Sequence, residues 1–417
     1  MNKTKPQRLK RSVSVGYIFS ALRHYNYRLW FIGQLFSLVG TWMQITAQGF
    51  LVYSLTGSPA YLGLVSFFAG LPTLLFALYG GVIADRVSKR SLMLVTQTAM
   101  LILAFILAGL VFTNVIQPWM IVVMAFLLGI ANAFEGPARN AFVVSLVDDR
   151  ADLTNAIALN SGMYNMALVL GPAIAGFVYA WLGPAWCFIF NGISFLAVII
   201  ALALMRIKPT PRKEKHDHAL VAIKDSFKYV RSNKMVMLLI ASLGVISIFG
   251  FGMLTLIPVW AVKIMHGDVT TNGFLLSFRG LGAVMGALTV AGLASRHIRG
   301  KMWTLGSFAL PILLITFALS PYLLVSLALL FGVGWSLMFI LNNTNSLVQT
   351  TIPDKMRGRV MAIYMTVFEG GMPIGSLIMG AAASVIDVRL VVIICGSALL
   401  IFALSAYLIY PRLRRLE

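Results

Sequence analysis

The sequence GGVIADRVSKR, from Gly80 to Arg90, is a short charged connector between two long apolar runs. Gly81 and Asp85 are four residues apart, so on a helix they share one face, where the glycine lets a neighbouring backbone approach closely. Three basic residues come after Asp85: Arg86, Lys89 and Arg90. Such a concentration of positive charge in a short loop of a membrane protein favours the cytoplasmic side. The stretch therefore predicts a tight cytoplasmic turn between two membrane helices.

The whole chain is too apolar for a water-soluble globular protein. Of its 417 residues, 59% are hydrophobic and 11% are charged, and the mean hydropathy is +0.88. A net charge of +20 would suggest a nucleic-acid partner if the basic residues formed one surface, but they fall in the loops between apolar runs. The composition therefore predicts an integral membrane protein in contact with the lipid bilayer, with no nucleic-acid partner.

Several common kinds of site have no support in the sequence. The two cysteines, Cys187 and Cys395, each lie inside an apolar run, which argues against a disulfide framework or metal cluster. His216 and His218 lie in a polar linker without a third ligand nearby, so we expect no metal site there. The phosphate-binding pattern GxxxxGK[ST] is absent from the sequence. We therefore expect no cofactor, no ATP-driven pumping and no enzymatic activity.

The spacing of the apolar runs predicts an all-α membrane protein, because each spanning helix needs about 20 apolar residues. Twelve runs are long enough: 28–55, 61–85, 91–113, 118–144, 154–182, 185–206, 235–264, 270–295, 301–319, 321–350, 356–383 and 387–410. The predicted domains are a cytoplasmic tail with an interfacial helix (1–27), a six-helix bundle (28–206), a cytoplasmic linker with an amphipathic helix (207–234), a second six-helix bundle (235–410) and a cytoplasmic tail (411–417).

The positions of the basic residues predict the orientation in the membrane. Of the 33 Lys and Arg residues, 29 lie in the terminal segments and the alternate loops that share one side with them. Lys263 and Arg389 lie on the other side, and Arg139 and Arg279 lie within predicted helices. Because cytoplasmic loops carry the excess of positive charge, both termini are predicted to be cytoplasmic, in the cytoplasmic (inner) membrane.

The connector at Gly80 to Arg90 resembles the G-x-x-x-D-R-x-G-R-K loop between helices two and three of major facilitator superfamily transporters, with Ser88 in place of the second glycine. From Ala21 to about Arg412 the chain resembles the twelve-helix exporter branch that includes macrolide-efflux and enterobactin-exporter-like proteins. The stretches that carry this likeness are 21–44, 137–147, 153–165 and 187–198. Gly171, Pro172 and Gly176 are similar to the G-P-x-x-G-G signature of antiporters, with Ala167 and Ala175 in place of two of its glycines.

The resemblance implies two pseudo-symmetric six-helix bundles with a binding site between them near the middle of the membrane. An internal repeat agrees with this fold: NAFVVSLVDD at 140–149 aligns with NSLVQTTIPD at 345–354, and GPAIAG at 171–176 with GSLIMG at 375–380. The function implied is proton-driven export of small amphipathic molecules such as drugs, macrolides or siderophores, by a monomer that works by alternating access. Two alternatives remain open: a lysophospholipid or lipid flippase of the same fold, and a non-transporting membrane sensor or scaffold.

The first predicted helix carries a continuous polar stripe at spacings of 3, 4, 3 and 4: Gln34, Ser37, Thr41, Gln44 and Gln48. Such a stripe either lines a water-filled cavity or forms hydrogen bonds to a neighbouring helix, and its length favours the cavity. Polar residues of two further helices are candidates for the same cavity: Asn160, Ser161 and Asn165, and Asn342, Asn343 and Asn345. Amides rather than acids suggest a neutral or mixed cargo.

Four charged residues lie inside predicted helices at least five residues from either end: Glu135, Arg139, Arg279 and Glu369. Each should face the bundle interior or water, because a charge at the centre of a bilayer is costly. Glu135 and Arg139 are four residues apart and can pair along their helix. Glu135 lies near the cytoplasmic end, so we expect it to join the cytoplasmic gate as a partner of Lys89 or Arg90, with proton carrier as the alternative.

Glu369 and Arg279 are both predicted to lie near the middle of the membrane. They either form an ion pair or face a common cavity. A carboxyl group in that position suits proton exchange, since its charge responds to the access of water and to a nearby cation. Coupling and a fixed structural ion pair are equally compatible with the sequence.

Overall fold

The computed structural model describes residues 19–147, 150–206, 228–293, 296 and 298–411, without the side chains of residues 77–86, 150, 151 and 355. This part of the chain forms twelve helices long and apolar enough to cross a membrane, which confirms the predicted fold class. They are α1 Tyr25–Thr56, α2 Pro59–Arg86, α3 Lys89–Phe112, α4 Pro118–Ser145, α5 Arg150–Leu182, α6 Pro184–Leu204, α7 Lys234–Ile264, α8 Val269–Leu293, α9 Arg299–Leu319, α10 Leu323–Thr351, α11 Asp354–Val385 and α12 Val388–Ile409.

Proline and glycine set several of the helix ends. Gly57 ends α1 in the left-handed region (φ 61°), and its N–H donates a 2.8 Å hydrogen bond to the Tyr53 carbonyl oxygen. Because that region disfavours a side chain, glycine is the residue that allows the sharp turn. Pro118 and Pro184 stand in the first turns of α4 and α6, where a helix needs no N–H from them. These signals keep the loops between helices short.

The helix α7 is less regular than the sequence predicted. Within the span of α7 lie a π-helical turn, a 3-10 turn and a second π-helical turn, at Ile246–Phe251, Gly252–Leu256 and Trp260–Ile264. Pro258 cannot donate a backbone hydrogen bond, which breaks the regular ladder. Gly252 lies directly against Gly375 of α11, where a methyl group would come within 2.6 Å of the Gly375 backbone. The irregular segment therefore lets the backbones of α7 and α11 approach closely.

The helices form two halves, α1–α6 and α7–α12, that repeat the same arrangement. In the first half α1 packs on α5, α2 on α4 and α3 on α6; in the second half α7 packs on α11, α8 on α10 and α9 on α12. Between the halves, α2 packs on α11 and α5 packs on α8, which is again one contact repeated by symmetry. Large apolar side chains such as Leu324 and Trp181 are exposed on the outside, as lipid contact requires.

The repeated sequence motifs occupy equivalent places in the two halves. Gly171 of α5 lies against α1 at Trp42, and Gly375 of α11 lies against α7. A side chain at Gly176 would press on Thr270 of α8, and one at Gly380 would press on Pro59 of α2. In each half the first glycine of the motif thus contacts that half's first helix, and the second contacts the opposite half. The repeat found in the sequence is therefore a repeat of helix crossings.

Most of the predicted interfacial segment, residues 1–18, lies outside the described residues, so its place at the membrane surface stays a prediction. Its described part forms a short 3-10 turn, Ser20–Arg23. The Ser20 hydroxyl donates to Asp152 of α5 over 2.6 Å, and the His24 ring lies 3.0 Å from the same carboxylate. These polar contacts tie the turn to the first residues of α5. The predicted linker helix lies largely in residues 207–227, outside the described part; residues 228–232 are helical.

Candidate substrate cavity

The bundle has two faces: the termini face, where α1 begins and α12 ends, and the opposite face. Near the opposite face the halves meet along α2 and α11. A methyl group at Gly380 would lie 2.7 Å from the Pro59 carbonyl oxygen, and Gly70 lies against the Pro373 ring. Nearer the middle, Leu74 lies against Gly370. The seam between α2 and α11 therefore runs from the opposite face to about the middle of the bundle.

The second seam, between α5 and α8, covers the same depth. It begins at Gly176, where Thr270 is the neighbour, and ends at Gly280, where a methyl group would lie 2.7 Å from the Leu168 carbonyl oxygen. Between these points the Ser277 hydroxyl donates a 2.7 Å hydrogen bond to the Val169 carbonyl oxygen. The halves are thus joined on both sides of the bundle in the part nearer the opposite face.

Thr255 of α7 adds a polar contact to this closed region. Its hydroxyl lies 2.8 Å from the Ser376 hydroxyl of α11, in the same half, and 3.5 Å from the Ser66 hydroxyl of α2, in the other half. One side chain therefore touches one helix that belongs to its own half and one that does not.

Towards the termini face the same helix surfaces are exposed. On α11 the face that carries Pro373 and Gly380 continues as an exposed row: Gly358, Ala362, Thr366 and Glu369. On α5 the face that carries Leu168 and Pro172 continues as an exposed row that includes Thr154, Ala158 and Ser161. Because these rows continue faces that contact the other half, they border the gap between the halves. The structure therefore has a cavity between the halves that opens on the termini face.

Tyr164 of α5 lies on the cavity wall in the neighbourhood of several charged residues. The side chain is 45% exposed, and it interacts electrostatically with Arg139 of α4, Arg279 of α8 and Glu369 of α11. Trp42 packs edge to face on the Tyr164 ring, with centroids 6.0 Å apart. Sequence reasoning missed Tyr164, although it lies one residue from the predicted cavity residue Asn165 and three from Ser161.

Arg279 and Glu369 do not form an ion pair in this conformation. The ion pairs within the described part of the chain do not join them. Glu369 is exposed in the cavity, whereas Arg279 is 6% exposed and its Nε has no hydrogen-bond partner among the described residues. The fixed ion pair of Arg279 and Glu369 is therefore absent in this conformation, and a cavity common to both side chains stays a prediction.

Glu135 contacts other residues than Lys89 or Arg90, the partners that the sequence predicted for it. Its carboxylate lies 3.7 Å from the Arg139 guanidinium and accepts a 3.2 Å hydrogen bond from the Gln97 amide. Glu135 is 3% exposed, so these contacts hold a buried charge. The local pairing with Arg139 is therefore present, and Gln97 of α3 is a partner that the sequence did not indicate.

Lys89 and Arg90 do not reach Glu135. The Lys89 ammonium donates to the Ala141 carbonyl oxygen over 3.2 Å, and Arg90 donates to the Ala203 carbonyl oxygen over 3.0 Å. Ala141 is six residues beyond Glu135, about 9 Å along the helix. The prediction that Lys89 or Arg90 pairs with Glu135 is therefore wrong in this conformation, because both side chains end at the termini-face ends of helices. The side chains of Asp85 and Arg86 lie outside the described residues.

The polar stripe of α1 is a helix contact and not a cavity wall. Four of its five side chains are at most 5% exposed: Gln34, Ser37, Gln44 and Gln48. The Gln44 amide oxygen accepts a 2.7 Å hydrogen bond from Asn191 of α6, and Gln48 donates to the carbonyl oxygen of Ile121 in α4. Gly40 lets α6 approach closely enough for these contacts. The cavity-lining prediction is therefore wrong for these four, and Thr41 is half-buried.

The other predicted amides divide between the cavity and the protein interior. Ser161 is exposed and Asn165 half-buried, and within the described residues both donate to carbonyl oxygens of their own helix, which leaves their oxygens able to accept from a ligand. Asn160, Asn342 and Asn345 are half-buried, and Asn345 accepts a 2.8 Å hydrogen bond from Gln349. Asn343 is fully buried and cannot line the cavity in this conformation.

The antiporter-like motif lies where three helices cross. Gly171 meets α1, and a methyl group at Gly273 of α8 would lie 2.5 Å from the Pro172 carbonyl oxygen. Gly176 faces the same stretch of α8. The motif therefore belongs to the seam between the halves, on the side of the cavity nearer the opposite face. It contributes backbone surface rather than a binding side chain.

Comparison with known proteins gives relatives over nearly the whole chain. The chain is 26% identical over 390 residues to the staphyloferrin A transporter of Staphylococcus aureus, covering 93% of this chain and 97% of that protein. It is 25% identical over 407 residues to the enterobactin exporter EntS of Escherichia coli, covering 94% and 93%. Both relatives are transporters.

Solved structures show the same fold at low sequence identity. The nucleoside transporter NupG matches with a TM-score of 0.71 and 15% identity, covering 93% of this chain and 99% of that structure. A bacterial homologue of the human lysosomal transporter Spinster, in an inward-facing and unoccupied conformation, matches with a TM-score of 0.70 and 14% identity, covering 96% and 98%.

The family model described as transmembrane secretion effector matches residues 17–417. Its extent includes every helix and both seams described above. Together with the relatives, it makes the chain a membrane transporter and not an enzyme. The twelve helices in two repeated halves, the cavity between them and this match show that the chain belongs to the transmembrane secretion effector family of the major facilitator superfamily.

Proposed function

We propose that the protein is a secondary exporter of small amphipathic molecules, with siderophores as the first class of cargo. The observation that carries this proposal is the cavity itself, closed by two seams near the opposite face and open on the termini face. Its wall combines aromatic, amide and charged side chains at Tyr164, Asn165 and Glu369. The names of the two relatives support siderophores over drugs and macrolides.

The distribution of basic residues supports a cytoplasmic position for the termini face in the inner membrane. With that orientation the cavity is open to the cytoplasm, where an exporter loads its cargo. Release requires the seams α2–α11 and α5–α8 to separate while the exposed rows of α5 and α11 come together. Glycines make both seams smooth backbone surfaces, which suits such a movement. The loop with Asp85, Lys89 and Arg90 would then latch the closed termini face.

We assign proton coupling to Glu369. It is exposed in the cavity, and Pro373, one turn further along α11, lies in the closed seam. When the cavity closes around this carboxylate, loss of water favours the neutral acid over the anion. A proton bound from one side and released to the other could therefore drive the return step. Glu135 is less suited to this role, because Arg139 and Gln97 stabilise its charge.

The test is transport by purified protein in liposomes with an outward or inward pH gradient. Staphyloferrin A, enterobactin and the macrolide erythromycin are offered separately, with protein-free liposomes as the control. Accumulation of a siderophore above the protein-free level, dependent on the gradient, is expected. Transport of erythromycin alone would refute the siderophore assignment, and movement of none of the three would refute the proposed cargo classes.

A further inference from the structure

The two halves provide an internal comparison that singles out Arg279. In the first half the Ala69 backbone lies against Gly129 of α4, and in the second half the Arg279 backbone lies against Gly334 of α10. The next residue along each helix also matches, since Gly70 meets α11 and Gly280 meets α5. Ala69 therefore occupies the place that is equivalent to Arg279. Because alanine suffices there, the helix crossing itself does not require a guanidinium group.

The surroundings of Arg279 do not satisfy its charge. The side chain is 94% buried, since 6% of its surface is exposed, and its Nε lacks a hydrogen-bond partner within the described part of the chain. Burying an unpaired charge is costly, and a cation that is kept in such a position needs a reason beyond packing. Glu135 compensates Arg139 at 3.7 Å, but no described carboxylate lies within ion-pair distance of Arg279.

The backbone of Arg279 lies at the closed end of the cavity. The residue after it, Gly280, contacts Leu168 at the point where the α5–α8 seam ends. Tyr164, one turn before Leu168 on the same face of α5, is exposed in the cavity, and its hydroxyl is near enough to Arg279 to be influenced by the guanidinium charge. A cargo molecule that enters from the termini face would therefore meet Tyr164 and the guanidinium together.

We propose that Arg279 is the anion-binding residue of the cavity, and that the cargo carries a carboxylate or a comparable anionic group beside an apolar or aromatic part. The inference rests on the proposed transport function and replaces the expectation of neutral or mixed cargo. A guanidinium presents a planar edge of N–H donors that matches the two oxygens of a carboxylate. Tyr164 supplies the aromatic surface for the rest of the molecule, and Asn165 an amide that can accept hydrogen bonds.

Binding of three probes that share one ring tests this assignment: 2-naphthoate, 2-naphthamide and 2-naphthylmethylamine. The full chain is placed in nanodiscs of zwitterionic lipid, and bound probe is measured by equilibrium dialysis with empty nanodiscs subtracted. We expect the anion to bind about 10- to 100-fold more tightly than the neutral amide, as one charge-assisted hydrogen-bonded pair provides. Equal binding of the three probes, or a preference for the cation, would overturn the proposal.

Variants separate the charge from the fold. Arg279→Gln should remove the preference for naphthoate, whereas Arg279→Lys, which keeps the charge, should retain part of it. Arg389→Gln is the matched control, because Arg389 is exposed at the start of α12, outside the cavity. If Arg279→Gln does not yield folded protein, the ratio of naphthoate to naphthamide affinity is compared between Arg279→Lys and wild type. We expect a smaller ratio in Arg279→Lys, and an equal ratio would contradict the proposal. An unchanged anion preference in folded Arg279→Gln would exclude Arg279 as the ligand.

The binding assay also distinguishes this inference from the proposed function. A protein that prefers the anionic probe but moves no siderophore keeps the anion site and refutes the siderophore cargo. If the protein exports a siderophore but shows no preference for the anionic probe, the anion-binding role of Arg279 is refuted and the proposed transport function stands.

Discussion

Thr255 offers a test of alternating access, because its hydroxyl touches both halves of the protein. In the variant Ser66→Cys/Thr255→Cys, two sulfurs replace hydroxyls that lie 3.5 Å apart. A disulfide needs about 2.05 Å between sulfurs, so the two side chains have to close about 1.5 Å when the bond forms. Oxidation should therefore join α2 to α7 near the opposite face.

The expected effect on transport follows from the covalent bond. If export requires α2 and the second half to separate at the opposite face, transport should fall in proportion to the cross-linked fraction and return on reduction. The bond also closes a loop of 189 residues. In the chain-entropy model a loop of that length adds up to about 5 kcal/mol to the free energy of unfolding, so the locked state should also melt at a higher temperature.

The control uses the same residue within one half. In Thr255→Cys/Ser376→Cys the replaced hydroxyls are 2.8 Å apart, and both belong to helices of the second half, α7 and α11. This cross-link should leave export intact. Transport is measured in liposomes, with the cross-linked fraction read from a thiol-labelling gel. Wild-type transport by fully cross-linked Ser66→Cys/Thr255→Cys would refute the separation of the halves.

Three further predictions follow from the seams and the buried charges. Glu369→Gln should leave cargo binding intact but abolish the response to a pH gradient; gradient-driven transport at the wild-type rate would remove Glu369 from coupling. Gly280→Leu should destabilise the closed seam by about 1–3 kcal/mol, because a side chain there meets the α5 backbone. The control is Gly292→Leu, where the added atoms meet open space. Distances between spin labels on α5 and α8 report the opening of the seam in each variant. Gln97→Ala should lower the thermal midpoint in detergent, corresponding to about 1–2 kcal/mol, since the Glu135 carboxylate loses a charge-assisted hydrogen bond; an unchanged midpoint would show that this bond adds nothing.

The candidate site shows where inference from sequence ends. The stripe from Gln34 to Gln48 was recognised, but its direction was not, since Gly40 brings α6 against it and Asn191 satisfies Gln44. A polar stripe has the same spacing whether it faces water or a neighbouring helix. The hydrogen-bond partner that decides between them is 147 residues away along the chain. Tyr164 was missed for a related reason, because an aromatic residue in an apolar run looks like lipid-facing or core surface.

The sequence alone determined the twelve helices, their order and their repeat. A bilayer leaves no water for the backbone, so each apolar run of sufficient length must satisfy its hydrogen bonds within itself as a helix. The tertiary structure decided which charges meet: Glu135 with Arg139 and Gln97, and Arg279 with no carboxylate at ion-pair distance among the described residues. Those outcomes depend on how helices rotate and cross, which is set by close contacts at glycines far apart in the chain.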